Sequence, residues 1–354
     1  MSKYFRYVRP VSKREATGTV AAVYKQSASD LGRLVEPLMV LSPAPDVLAG
    51  MWALMREAVV VGAAPRAHKE AVGAVVSQIN ACPWCVDAHT GVVYAAGEGA
   101  LADLIRRTDP AGGNWDGSPA GDLLAWAAAT RDPRAAALAE PPFGPDLAAE
   151  YVGTAIAFHF LNRMVSALLV TDFLPANRHA ARWVLNVFAQ TLKRPVRRQR
   201  EPGAALDLVP PLEQGTGVPA WAAGTPTVGH AVTALESAAL RRPAVIGDAA
   251  AAAVSSWFDD WEGGDPGLGS WAAEAARHLP SDDRAAATLA LLAGAAPYRI
   301  TGEHVGAFRA DHPQDAELVR VLAWGAMLAV RRIEDWISHK DLPAPSDTAI
   351  QRGD

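Results

Sequence analysis

The sequence predicts an all-α protein, and three observations carry that expectation. Apolar residues recur at three and four positions along most of the chain, alanine and leucine dominate, and alternating runs of β-branched and aromatic residues are nearly absent. The helical period is clear over 47–61, 66–79, 122–130, 147–173, 178–192 and 231–240. Three stretches interrupt it: DPAGGNWDGSPAGD at 109–122, the long run 194–228, and WEGGDPGLGS at 261–270. Proline and glycine at that density mark loops.

The 354 residues are enough for two or three domains with cores of their own. The middle loop is long enough to join two of them, which places a helical domain at 1–192, a linker at 193–225, a second helical domain at 226–340 and a polar tail at 341–354. The linker opens with KRPVRRQR, five positive charges in eight residues, read as a solvated face rather than a site for an acidic partner. Half the residues are apolar, a fifth are charged, and the net charge is −5. These values describe a globular chain and give no reason to expect nucleic acid. No leader and no bilayer-length apolar run is visible, so the expectation is a cytoplasmic protein without a membrane partner. Two cysteines cannot frame a disulfide-stapled fold. In a reducing compartment a close pair points to a metal site or a redox centre.

A faint internal repeat links the halves. HKEAVGAVVSQINACPWCVDAH (68–89) lies on DDRAAATLALLAGAAPYRITGE (282–303) with a shift of 214, and FHFLNRMVSAL (158–168) on MLAVRRIEDWI (327–337) with a shift of 169. The second copy is thus shorter by 45 residues between the two matches, an excess assigned to loop 109–122 and the proline-rich stretch after Asp132. Its chemistry is gone: Glu70 faces Arg284, Cys82 faces Ala296, Cys85 faces Arg299 and His89 faces Glu303.

Both cysteines lie in ACPWCVDAHTG (81–91). Asn80 or Cys82 caps a new helix, Pro83 suits its first turn, and Gly91 is the first residue that resists continuing it. Cys85 then sits in the first turn, where free amides and the helix dipole favour a thiolate. Cys82, Cys85 and His89 share one helix face, which puts His89 in reach of Cys85 for proton exchange. Glu70 opens an apolar run, with Gly73, Ala74 and Ser77 on its face. A carboxylate there has little water, and small neighbours let another helix come close.

The resulting pattern, E-x11-C-x2-C-x3-H, resembles the alkylhydroperoxidase D-like branch of the carboxymuconolactone decarboxylase family. The resemblance covers roughly 20–175, including FHFLNRMV (158–165), and in degenerate form 226–338. It implies two fused helical repeats and a thiol-dependent peroxidase that needs no cofactor. By resemblance Cys85 is peroxidatic, Cys82 resolves its sulfenic acid as a disulfide, and Glu70 and His89 relay protons. A hydroperoxide is the implied substrate and an external thiol or dithiol the reductant; homo-oligomerisation is left open. Where some members carry a second histidine between the cysteines, this chain has Trp84.

Rival readings stand beside this one. The cysteines can be plain packing, or can bind zinc with His89 and His68 in a helical scaffold. The same pair can serve a disulfide reductase or redox sensor without peroxide turnover. Glu70 can be an exposed first-turn acid, and His68 and Lys69 ordinary first-turn residues. His159, Asn162 and Arg163 read as satisfied core groups, and Trp52, Trp84, Trp126 and Trp183 as packing, with Trp84 also a candidate for a substrate entrance.

Overall fold

The computed structural model describes residues 4–170, 192–212 and 217–338. Among these the fold is all-α, and the one extended pairing is an isolated bridge between Phe5 and Leu169. The first repeat contains α1 (Gly18–Leu31), α2 (Glu36–Met39), α3 (Pro45–Leu54), α4 (Arg66–Ile79), α5 (Pro83–Ala96), α6 (Gly99–Arg107), α7 (Pro119–Ala129) and α8 (Pro145–Leu168). The second contains α9 (Pro226–Ala239), α10 (Asp248–Asp259), α11 (Trp271–Ala276), α12 (Ser281–Ala295), α13 (Gly302–Arg309) and α14 (Asp315–Ser338). The helix expected at 178–192 and Trp183 lie outside the described residues, apart from Leu192. Among the described residues no helix is long and apolar enough to cross a membrane.

Small residues set how closely the helices cross. A Cβ on Gly73 of α4 would come within 2.4 Å of the Phe158 ring on α8, so only glycine admits that ring. The second repeat reuses the device, since a Cβ on Gly325 of α14 would lie 2.0 Å from the Ala290 carbonyl of α12. Both α8 and α14 have 24 residues, as expected of copies of one element. Between the repeats, α3 crosses α9 where a Cβ on Gly50 would meet the Leu235 backbone at 2.7 Å. Helices from both halves thereby line one continuous hydrophobic core, with Trp52 and Trp126 almost wholly inside it.

Three expectations need correction. The extra length of the first repeat consists not of loops alone but of α6 and α7, which stand in the chain order where the second passes directly from Arg309 to Asp315. The end of loop 109–122 is already α7, started by the Ser118 hydroxyl accepting the Gly121 amide (3.0 Å). The basic run is only partly solvated: Arg200 binds Asp30 (3.0 Å), which also holds Arg56 (2.8 Å). Arg56 and Glu57 lie in a π turn, Met55–Val60, that accepts the linker through Arg56 Nη2 to the Glu201 carbonyl (2.9 Å) and the Gly203 amide to Glu57 (2.7 Å).

A buried pair of acids, Glu236 of α9 and Glu334 of α14, lies between these helices. Trp221 Nε1 donates to Glu334 (2.9 Å), and Arg331 reaches both Glu236 (3.1 Å) and Glu334 (3.5 Å). Burial, and then the Glu334 charge, push the Glu236 carboxyl up from 4.5 to about 8. The folded state therefore keeps a proton that the unfolded chain releases. Its contribution to stability is complete below 4.5 and is lost as pH rises through about 8. Denaturant midpoints measured across that range are expected to fall with pH, and Glu236→Gln is expected to flatten the decline.

Candidate active site

The site is built where α4 ends and α5 begins. Pro65 precedes α4, and Glu70 enters the interior one turn later, only 1 % exposed. Burial alone would raise its carboxyl, yet Arg66 and then His89 outweigh that and hold it down at about 2. Arg66 lies four residues earlier on the same face, its Nη2 2.5 Å and its Nε 2.6 Å from Glu70 Oε1. The other oxygen, Oε2, lies 2.6 Å from His89 Nδ1. An ionised carboxylate only accepts, so Nδ1 carries the hydrogen on that bond. The imidazole meets the edge of Phe158 at 4.4 Å, the ring that Gly73 admits. The expected small-residue face beside Glu70 thus positions the histidine through α8.

Between the helices the chain turns through Ala81, whose φ of 50° is left-handed. For a residue with a Cβ this costs about 1 kcal/mol. The Cys82 amide donating to the Ser77 carbonyl (2.9 Å) closes the turn. Cys82 is the N-cap of α5 and Pro83 its first residue. The helix does not stop at Gly91, which is buried within it, but at Gly97 with φ 103°. Burial of Gly91 together with Thr90, Val92 and Val93 offsets the entropy that glycine costs a helix.

Cys82 and Cys85 are both fully buried, with free sulfurs 2.9 Å apart. The polarity of the pair reverses the expectation from the sequence. Burial pushes the Cys85 thiol well up, and its hydrogen bond to Cys82 and the charge of Cys82 add to this, against a smaller pull from Asn162. Burial also acts on Cys82, but the Cys85 side chain, the Cys85 amide and the Ser166 hydroxyl outweigh it and bring the thiol below its ordinary value. The thiol favoured at the start of α5 is therefore the N-cap Cys82 and not Cys85, although the Cys85 and Val86 amides themselves donate to the Cys82 carbonyl (3.1 Å each).

A polar network backs the pair. His159 Nδ1 accepts from Asn80 (3.0 Å), and its Nε2 donates to Thr130 Oγ1 (2.8 Å), whose own hydrogen goes to the Ala127 carbonyl (2.8 Å). Burial, and then Arg163 and Arg131, depress the His159 imidazole far below its usual range, as fits a satisfied core group. Asn162 donates to Ser77 (3.0 Å) and accepts from Asn80 (3.2 Å). Arg163 is buried and donates to the Gly294 (2.7 Å) and His159 (2.7 Å) carbonyls. Arg131 donates to the carbonyls of Ile79 (2.9 Å), Ala295 (3.3 Å) and Gly263 (2.7 Å). The two guanidinium groups join the end of α4 to the end of α12, where outward-facing carbonyls favour a cation.

A cavity of about 100 Å³ opens onto Glu70 and His89, with Trp84, Met55, Leu161 and Val92 on its walls. Trp84 thus stands where an entrance was expected. Neither sulfur lines this cavity; Cys82 borders a separate, open groove beside Asp87 and Asp109. Among the described residues no three His, Cys, Asp or Glu side chains are grouped to hold a metal ion. Sequence reasoning brought Glu70, His89, Cys82 and Cys85 to one place but missed Arg66, though its spacing of four from Glu70 is legible. It also read Lys69 as an ordinary first-turn residue, whereas its ammonium is buried against Glu150 at 2.5 Å.

The Carboxymuconolactone decarboxylase family matches residues 45–113, a span that includes all four predicted site residues. The chain is also 39% identical over 339 residues to an alkyl hydroperoxide reductase of Mycobacterium tuberculosis (strain ATCC 25618 / H37Rv), covering 95% of each protein. A helical scaffold in two copies, a Glu70–His89 pair on the two helices whose junction carries Cys82 and Cys85, and that identity along almost the whole length lead to one conclusion: the chain belongs to the carboxymuconolactone decarboxylase family, on its alkylhydroperoxidase D-like side.

Proposed function

We propose that the protein is a thiol-dependent peroxidase that reduces organic hydroperoxides through a Cys82–Cys85 disulfide cycle. The observation that carries this reading is a pair of sulfurs 2.9 Å apart at the start of a helix that carries, one turn on, an imidazole held by a buried carboxylate at 2.6 Å. The name of the mycobacterial relative supports the substrate class. Cys85, one helical turn from His89, passes its proton to the Cys82 thiolate and attacks the terminal oxygen of the hydroperoxide. An S–O bond forms, the O–O bond breaks, and the departing alkoxide takes a proton from His89 to become the alcohol. Cys82 then returns its proton through His89 and attacks the sulfenic sulfur. The S–S bond forms and hydroxide leaves as water. An external dithiol restores both thiols by exchange.

A thiol held lower at Cys82 than at Cys85 suits this order, because the resolving sulfur first acts as the base for its neighbour. Counting free thiols after one equivalent of hydroperoxide tests the cycle. Wild type is expected to lose two, Cys82→Ser to react more slowly, its base being gone, and to stop at a sulfenic acid on Cys85, and Cys85→Ser to keep its remaining thiol. Survival of both wild-type thiols overturns the proposal.

A further inference from the structure

We infer that Arg66 is a positioning residue of the thiol site, which engages one oxygen of Glu70 so that the other stays ionised and aimed at His89. The inference rests on the reading that Glu70 and His89 move protons for the thiols. Both Arg66 contacts fall on Oε1, at 2.5 and 2.6 Å, and the His89 contact falls on Oε2 alone at 2.6 Å. The carboxylate cannot turn without breaking one set.

The other charges around it are engaged elsewhere. Lys69, the next residue back on α4, binds Glu150 (2.5 Å). Asp30, on the cavity wall, is held by Arg56 (2.8 Å) and Arg200 (3.0 Å), and Arg33 by Glu36 (3.1 Å). On the α8 side the neighbours are Phe158 and Leu161, and on α5, besides His89 and Cys85, Asp87 borders the separate groove beside Cys82 and Tyr94 donates to Asp103. Arg66 is therefore the cation that balances Glu70 when the imidazole is neutral. Without it a carboxylate with almost no water has the imidazole as its remaining partner. It then takes up a proton at a higher pH than in the wild type, and the relay stops wherever the carboxyl is protonated.

The test is the pH profile of Arg66→Met, read in two ways: oxidation of the thiols by cumene hydroperoxide, and their alkylation by iodoacetamide, which needs no peroxide. Wild type is expected to show no carboxyl-dependent limb between about pH 4 and pH 6. The variant is expected to gain one, with rates about tenfold lower near pH 5 and within about threefold of wild type near pH 8. Arg66→Lys should restore the wild-type profile, and in a Glu70→Gln background Arg66→Met should add no limb. Arg66→Gln, which keeps a donor and drops the charge, replaces the methionine variant if that one fails to fold. A uniform loss at every pH, or a limb that persists without Glu70, overturns the inference. If wild type ignores the peroxide while alkylation still shows the new limb, the peroxidase reading fails and the role of Arg66 stands.

Discussion

Truncating Glu150 to alanine is expected to destabilise the fold by about 3–5 kcal/mol, the cost of leaving a buried charge without its partner. Lys69 is 1 % exposed, its ammonium lies 2.5 Å from Glu150 Oε2, and it also donates to the Val61 carbonyl. Glu150 accepts the Ala63 (2.6 Å) and Ala64 (3.2 Å) amides besides, so the variant also strands two main-chain donors. The sign with pH follows from the lysine. Burial lowers its pKa from 10.5, and Glu150 opposes this. With Glu150 gone the folded state releases the proton more readily than the unfolded chain, so the stability of the variant should climb as pH rises toward 10.5. Urea titrations of both proteins at neutral and alkaline pH check this. Lys69→Met with Glu150→Leu should recover most of the loss, since replacing both members by apolar groups removes the uncompensated charge.

The second large effect concerns chemistry. Glu70→Gln is expected to slow peroxide-dependent thiol oxidation by about 10²-fold or more, the usual worth of a positioned acid–base system. The substitution keeps the shape and one hydrogen bond to His89 but removes the charge that Arg66 and the imidazole balance at 2.5 and 2.6 Å. Stopped-flow oxidation monitored by thiol loss, with the circular-dichroism melt as control, separates this from unfolding. A rate within about threefold of wild type would remove Glu70 from the mechanism.

Much of this arrangement is legible in the sequence, and the limits have physical causes. The period over 66–79 coincides with α4, since Pro65 starts it and the turn at Ala81 follows its end. The spacing of Glu70, Cys82, Cys85 and His89 brings them to adjoining helices because an antiparallel pair joined by a short turn has little freedom. Which thiol has the lower pKa was not legible. That depends on the Cys85 amide and on Ser166, a residue far along the chain that packing alone brings near. Lys69 and Arg200 were misread for the same reason: a charge enters the core only where a distant partner waits, and Glu150 and Asp30 declare nothing locally. Gly91 misled because local propensity yields to tertiary burial.

Arg131 and Arg163 grip Ile79, Gly263, Gly294 and Ala295 by main-chain oxygens. Every residue type offers that atom, so the grip is blind to what side chains the inactive copy displays. A duplicated half held in this way is free to drift in sequence, shedding its thiols and its acid, while its backbone remains a fixed abutment for the half that kept them.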